Sequence, residues 1–332
     1  MPSAKVLDWL LADDQPSIQY RTLTELLGRP ASDPEVRRAK ARIPAVGFAA
    51  EILARRDPAG WWTRGSNLYV PKYVSTNWNL LALSDLGATR EIPAVRKSAE
   101  LWMARSPLAG GGVGGNSNGH GHLCYTGNMA RALIRFGYDG DPRVRKALDW
   151  LVATAHPKGG WTCWSFGDGP APGRNLDSWE GLSALAAYPR AKRSAAMDRA
   201  VAAGAEFFLE RELHRQGARY PPWYRFHFPV HYYYDLLVGL DLLTSLGYGS
   251  DRRLRFALAH LAKKRRPDGR WNLDAVHPDV AGGTADWFRR HPKDRPTPLV
   301  VEPPGRPSKV VTLTALKVLS RVAADGGPDG GR

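Results

Sequence analysis

Gly137-Tyr138-Asp139-Gly140-Asp141-Pro142-Arg143-Val144-Arg145-Lys146 leads, through an amphipathic stretch, to Pro157-Lys158-Gly159-Gly160-Trp161. Upstream, His122 to Phe136 places Leu123, Met129, Ala130, Leu133, Ile134 and Phe136 at helical rather than alternating spacing. Gly137 is suited to end that helix, because glycine tolerates positive φ at a C-terminus. Asp141-Pro142 starts the next one: Asp caps free amides and Pro fits a first turn. Val144, Ala147, Leu148, Leu151 and Val152 then form one apolar side, with Arg143, Arg145 and Lys146 turned to water. The unit is two helices and a short loop.

The unit recurs about every fifty residues. Glycine turns stand at Gly28, Gly87, Gly137 and Gly247, with the break Tyr188-Pro189 between the last two. After them come Asp33-Pro34-Glu35-Val36-Arg37-Arg38, Ile92-Pro93-Ala94-Val95-Arg96-Lys97 and Asp251-Arg252-Arg253-Leu254-Arg255. The closing signals are Gly60-Trp61-Trp62, Gly110-Gly111-Gly112-Val113 and Asp268-Gly269-Arg270-Trp271, with Gly217-Ala218-Arg219-Tyr220 the most degenerate. The helices before each turn carry few charges: Ile18 to Leu27, Thr76 to Leu86, Cys124 to Phe136, Asp177 to Tyr188, Val230 to Leu246 and Ser308 to Ala323. Six buried and about six amphipathic helices predict an all-α protein, an inner ring wrapped by an outer one. An open solenoid is the competing arrangement. Residues 1–324 are expected to form one α/α-toroid domain, with 325–332 a disordered tail. Asn272 to Pro307, rich in proline, is expected to be a long ordered loop.

The 332 residues carry a net charge of +15, which raises nucleic-acid binding. The basic residues of the post-turn stretches instead suit wet faces of separate helices, so no nucleic-acid partner is expected. No stretch has the length of uncharged apolar residues that a membrane span needs. The start of the chain does not read as a signal peptide. With 2 Cys, a disulfide framework is not expected and a cytoplasmic location is.

The chemistry concentrates in Gly114-Gly115-Asn116-Ser117-Asn118-Gly119-His120-Gly121-His122-Leu123-Cys124-Tyr125, where two His and one Cys reach the start of an inner helix. Cys163 precedes the next inner helix, and His231 is expected to open another. In a toroid these fall at one rim. Thiolate and imidazole are zinc ligands, and a helix N-terminus would favour the Cys124 thiolate. The alternative is that both Cys are small buried hydrophobes and His231 a hydrogen-bonded rim residue. Asp177 is a candidate to move a proton, with an N-cap as its competing role. Asp235 is a second candidate, expected one turn inside its helix, with a salt bridge as its competing role. Asp13-Asp14 reads as a cap for the first inner helix. Trp161 and Trp271 are expected to staple repeats. Trp78, Tyr125, Trp164, Trp179, Tyr232 and Tyr234 are candidates to line a pocket for a hydrophobic or cationic ligand.

Pro157-Lys158-Gly159-Gly160-Trp161 and Pro267-Asp268-Gly269-Arg270-Trp271 resemble the QW-type repeats of squalene and hopene cyclases, with related repeats in protein prenyltransferase β subunits. The resemblance spans nearly the whole chain and implies an α/α toroid whose inner-helix N-termini open onto a cavity. His122-Leu123-Cys124-Tyr125 looks like the prenyltransferase zinc segment Asp-x-Cys-Tyr, with His in place of Asp. His231-Tyr232-Tyr233-Tyr234-Asp235-Leu236-Leu237-Val238-Gly239-Leu240 is similar to its later His segment, with one extra residue. The resemblance thus implies zinc on Cys124, His231 and His122. A Cys124, Cys163, His231 set looks like the zinc site of lanthionine cyclases. Two departures stand against a diphosphate substrate and a simple match. Asn116 and Gly119 occupy the positions of the family's basic residues, and Cys124 and His231 lie two units apart. The cyclases' Asp-x-Asp-Asp acid is absent. The expectation is an enzyme with zinc that acts on a small isoprenoid-like molecule by cyclase- or transferase-type chemistry. The alternative is a non-catalytic ring that binds a peptide or small ligand, its zinc structural or absent.

Overall fold

The Asp141 carboxylate accepts a hydrogen bond from the Arg143 amide at 2.8 Å, Pro142 sets the first turn, and a helix runs Pro142–Thr154. It buries Val144, Ala147, Leu148 and Leu151, while Arg143 and Lys146 are exposed. Asp33 caps in the same way, accepting from the Glu35 amide at 2.8 Å. The computed structural model describes residues 2–63, 68–106, 110–114, 121–163, 173–215, 218–277 and 301–326. Trp164, His120 and most of the proline-rich 272–307 stretch and of the expected tail lie outside them.

In chain order the helices are α1 Ala4–Leu11, α2 Pro16–Arg21 with a wider-wound continuation Thr22–Leu26, α3 Pro34–Arg42 and α4 Phe48–Ala54. There follow α5 Thr76–Asp85, α6 Pro93–Arg105, α7 Leu123–Leu133 with its continuation Ile134–Tyr138 and α8 Pro142–Thr154. The rest are α9 Asn175–Ala187, α10 Ala195–Glu210, α11 Leu236–Ser245, α12 Arg255–Lys263 and α13 Lys309–Ala324. The fold is all-α: extended pairing among the described residues is limited to the isolated bridges His227–Ala275 and Asn272–Pro307.

The chain divides into two compact units, residues 48–204 with 277–300, and residues 1–47 with 205–276 and 301–332. In the first, α5 packs on α7 and α7 on α9, with α6 against α5 and α8 against both α7 and α9. Every residue of α5 and α7 is buried, whereas α6 buries one face and exposes Arg96 and Lys97. In the second, α11 packs on α13 and α13 on α2 with its continuation, while α3 lies against α2 and α12 against α11. Buried and amphipathic helices therefore alternate along the chain as the repeat predicts.

The Gly-Trp signals have a common geometry. The indole N–H of Trp161 donates to the Leu151 carbonyl at 2.9 Å, and its backbone N–H donates to the Ser178 hydroxyl on the next buried helix at 2.9 Å. Trp271 repeats this with Leu261 at 2.8 Å and Thr312 at 3.0 Å. Trp62, rather than Trp61, does so with Ile52 at 2.7 Å and Thr76 at 3.2 Å. Val113 lacks an indole but keeps the second bond, to Thr126 at 2.8 Å. Each signal closes one helix and fastens the next. Gly160 and Gly269 have φ of 78° and 83°, a backbone most side chains resist. Trp271→Ala should cost about 3–5 kcal/mol, read as a lowered denaturant midpoint. Thr312→Val, which strands one amide, should cost about 1–3 kcal/mol.

The second unit ties its first helices to its last. Lys317, 5% exposed, bonds Glu25 at 2.6 Å and approaches Asp241 at 3.6 Å. Burial alone would raise the Glu25 carboxyl, but Arg21 and Lys317 hold it well below the usual carboxylate range. Asp13 and Asp14 are not caps. Gln15 precedes α2, Asp13 pairs with Arg42, and Asp14 pairs with Lys309 at 2.5 Å.

Candidate active site

Gly127 lets α7 and α9 approach closely: a Cβ there would lie 2.5 Å from the Glu180 carbonyl oxygen. At this crossing Cys124 and Asn128 of α7 lie near Asp177 and Glu180 of α9. The Cys124 and Cys163 sulfurs are 3.9 Å apart. The Cys163 amide donates to Asp177 Oδ2 at 3.0 Å. One helical turn on, Glu180 is fully buried and its Oε1 accepts from the Asn128 side-chain amide at 2.8 Å. Glu180 Oε2 and Asn128 Oδ1 are buried with no hydrogen-bond partner among the described residues. Arg131, also buried, reaches Asp85 at 3.4 Å and lies 4.8 Å above the Trp179 ring.

Burial governs the electrostatics. It pushes Asp177 up to about 6, against the pull of the Cys163 amide. It pushes Glu180 well above its ordinary range, and the nearby Asp177 adds to this. The Cys124 thiol is also held well above its ordinary value, first by its contact with the Cys163 sulfur and then by burial. The expected thiolate at a helix N-terminus is thus corrected. A sulfur enclosed among Cys163, Glu180 and Asp177 gains more from its proton than the helix end offers its charge. Asp177 is not a cap either. Arg174 takes that position, and Asp177 sits inside the first turn.

An aromatic cluster belongs to the same unit. Tyr69 lies 5.0 Å from Trp78 and 5.1 Å from Tyr125, ring centre to ring centre, and Tyr73 lies 4.8 Å from Trp78. Trp78 donates its indole N–H to the Tyr69 carbonyl at 2.7 Å. The Tyr125 hydroxyl accepts from the Trp102 indole at 3.0 Å and contacts the Ser106 hydroxyl at 3.0 Å. The other side of α7 borders a cleft lined by Met103, Val113, Met129, Leu133 and Val144. The titratable group at its edge, Arg143, is tied to Asp141 and Glu100.

The remaining expected residues belong to the other unit. His231 is buried but does not open a helix: α11 begins at Leu236 with Asp235 as its cap, accepting from Val238 at 2.9 Å. Asp235 is therefore at the helix boundary, not a turn inside. Its Oδ2 accepts from the His227 amide at 2.9 Å and lies 3.1 Å from His227 Nδ1. The local cause is Tyr232, whose φ of 53° breaks the helix that the apolar spacing implied. Tyr232 is half-buried. Tyr234 donates its hydroxyl to the Leu213 carbonyl at 2.9 Å and lies 5.6 Å from the Phe208 ring. His122, half-buried, precedes α7 and its carbonyl accepts from Thr126 at 2.8 Å.

For zinc, the two sulfurs fit one edge of a tetrahedron, since bonds of about 2.3 Å to each place them about 3.8 Å apart. Among the described residues, no group of three or more His, Cys, Asp or Glu side chains is gathered to hold a metal. The donor set is thus half assembled, and no chemical step below passes through a metal.

No family model matches the sequence, and no curated protein matches it. Solved structures do match. The chain is similar to a type II terpene cyclase. The matches include MstE from Scytonema without ligand, at 18% identity and a TM-score of 0.33, covering 84% of this chain and 96% of that one. A variant of MstE in complex with geranylgeranyl dihydroxybenzoate, its substrate, matches at 18% identity and a TM-score of 0.34, covering 84% and 95%. Another variant, with the product merosterolic acid A, matches at 16% identity and a TM-score of 0.34, with the same coverage. Likeness at this level carries no substrate and no residue role to this chain.

Glu180, Asn128, Arg131 and His227 escape the sequence reading. The available signal for Glu180 is its spacing, three residues after Asp177 in an otherwise apolar helix, which puts both carboxyls on one face.

Proposed function

We propose that the protein is an enzyme that moves a proton at the α7–α9 crossing, acting by cyclase-type chemistry on a small, largely apolar, isoprenoid-like molecule. The observation that carries this reading is Asp177, a carboxyl brought to about 6 by burial while its Oδ2 is fixed to the Cys163 amide. A group that titrates near neutrality exchanges a proton at little cost, which is what general acid–base catalysis requires. The aromatic cluster of Tyr69, Trp78 and Tyr125, and Trp179 on α9, supply apolar faces that accept hydrocarbon and attract positive charge. Catalysis at this site would need no diphosphate grip, in keeping with the neutral residues Asn116 and Gly119.

The test is incubation of the purified protein with acyclic polyprenyl alcohols of increasing length, followed by a search for products of unchanged mass and fewer double bonds. Conversion by the native chain that persists undiminished in Asp177→Asn would remove the proposal. Zinc is a separate expectation, resting on the Cys124–Cys163 pair. Elemental analysis should find one zinc per chain, lost in Cys124→Ser. A metal-free native protein of full activity would retire it.

A further inference from the structure

Two carboxyls one helical turn apart have been given opposite surroundings. Glu180 Oε1 accepts from the Asn128 amide, so that oxygen acts as the carbonyl and the proton falls to Oε2. Oε2 is buried with no partner among the described residues, a position in which a bare anionic oxygen would be especially costly. Asp177 Oδ2 instead accepts a backbone N–H, a bond that favours the carboxylate. The charged and titratable groups facing the pair are Cys124 and Arg131 from α7, and Cys163 and Arg174 from the loop before α9. Arg131 is committed to Asp85.

We propose that Glu180 is the proton donor of this site and Asp177 its proton acceptor, making the catalysed reaction an isomerisation with no net gain or loss of protons. The inference rests on the acid–base reading of the α7–α9 crossing and assigns the direction of transfer. The Glu180 O–H bond breaks and its proton forms a C–H bond at one end of a substrate double bond. The π pair of a second double bond closes a C–C bond onto the resulting cation. A proton on the carbon beside the final cation passes to Asp177, and the C–H pair becomes the new double bond. The Asp177 carboxylate also stabilises the cation, offsetting the weakness of Glu180 as an acid. Return of the proton from Asp177 to Glu180 resets the pair. This step runs downhill because burial favours the protonated form more strongly at Glu180 than at Asp177. The substrate class is a polyene, and the product is its isomer.

Infrared spectroscopy of the ligand-free protein decides the assignment without turnover. At about pH 8 the native chain should show the carbonyl stretch of one protonated, buried carboxyl, absent in Glu180→Gln and retained in Asp177→Asn. A band lost in Asp177→Asn instead, or missing from the native chain at that pH, overturns the proposal. If Glu180→Gln does not fold, Asn128→Leu serves: withdrawing the amide from Oε1 should shift the band without removing it, and an unmoved band counts against the assignment. In D2O the product from an acyclic polyprenyl alcohol should gain one deuterium. Product without deuterium sinks the donor role. A native chain that shows the Glu180 band but converts no polyene removes the proposed function and leaves the proton assignment standing.

Discussion

Asp177→Asn should nearly abolish turnover while making the protein harder to unfold at neutral pH. The loss of activity should be about 10²- to 10⁴-fold, the usual contribution of a positioned proton-transfer group. The gain in stability follows from the direction of the shift. Folding moves the Asp177 carboxyl from 3.8 up to about 6, so the folded state holds the proton more tightly than the unfolded chain. Its stabilising contribution is complete below the unfolded value and is lost as pH rises through the folded one. The native protein should therefore weaken between about pH 4 and 6, by up to about 3 kcal/mol. Asn has no charge to bury, and its carbonyl oxygen can still accept from the Cys163 amide. The variant should pass through the same window almost flat. Urea unfolding of both chains at several pH values checks this. Parallel native and variant curves would show that Asp177 is not held in the surroundings described.

Gly127→Leu should be among the most damaging single changes in the chain. The first added carbon would stand 2.5 Å from the Glu180 carbonyl oxygen and 2.8 Å from its carbonyl carbon, both rigid backbone atoms. Since every residue of α7 is buried, the helix has no open side to retreat to. A loss of about 3 kcal/mol is expected, with displacement of Asn128 from Glu180 and activity lost along with stability. Gly140→Ala is the control. No atom lies within 4 Å of its added carbon, and its effect should stay within about 0.5 kcal/mol. Equal denaturant midpoints for the two variants would mean that α7 and α9 do not touch at this glycine.

The sequence makes the helices legible where local and global signals agree. Asp141-Pro142 caps and starts α8, Gly137 ends the helix before it with a φ of 94°, and Trp161 and Trp271 staple as expected. It misleads before α11, where apolar spacing from Val230 continues through residues whose backbone is not helical. Periodicity reports which side chains are apolar, whereas Tyr232 is held at positive φ by its surroundings. In the candidate site, Cys124, Cys163 and Asp177 are legible as unusual polar residues at buried-helix starts. Their states are not, because thiol and carboxyl titration depend on enclosure by other segments. Glu180 is hidden for the same reason: a glutamate in a helix is ordinary until its oxygen proves to be buried without a partner.

The bond from Lys317 to Glu25 has a bearing on how the chain is made. The segment that neutralises Glu25 is among the last to emerge from the ribosome, nearly the whole chain after Glu25 itself. Until then α2 lacks its neighbour α13, and the carboxylate lacks a counter-charge. The unit built from residues 1–47, 205–276 and 301–332 must therefore finish folding after synthesis ends, whereas most of residues 48–204 can settle during translation.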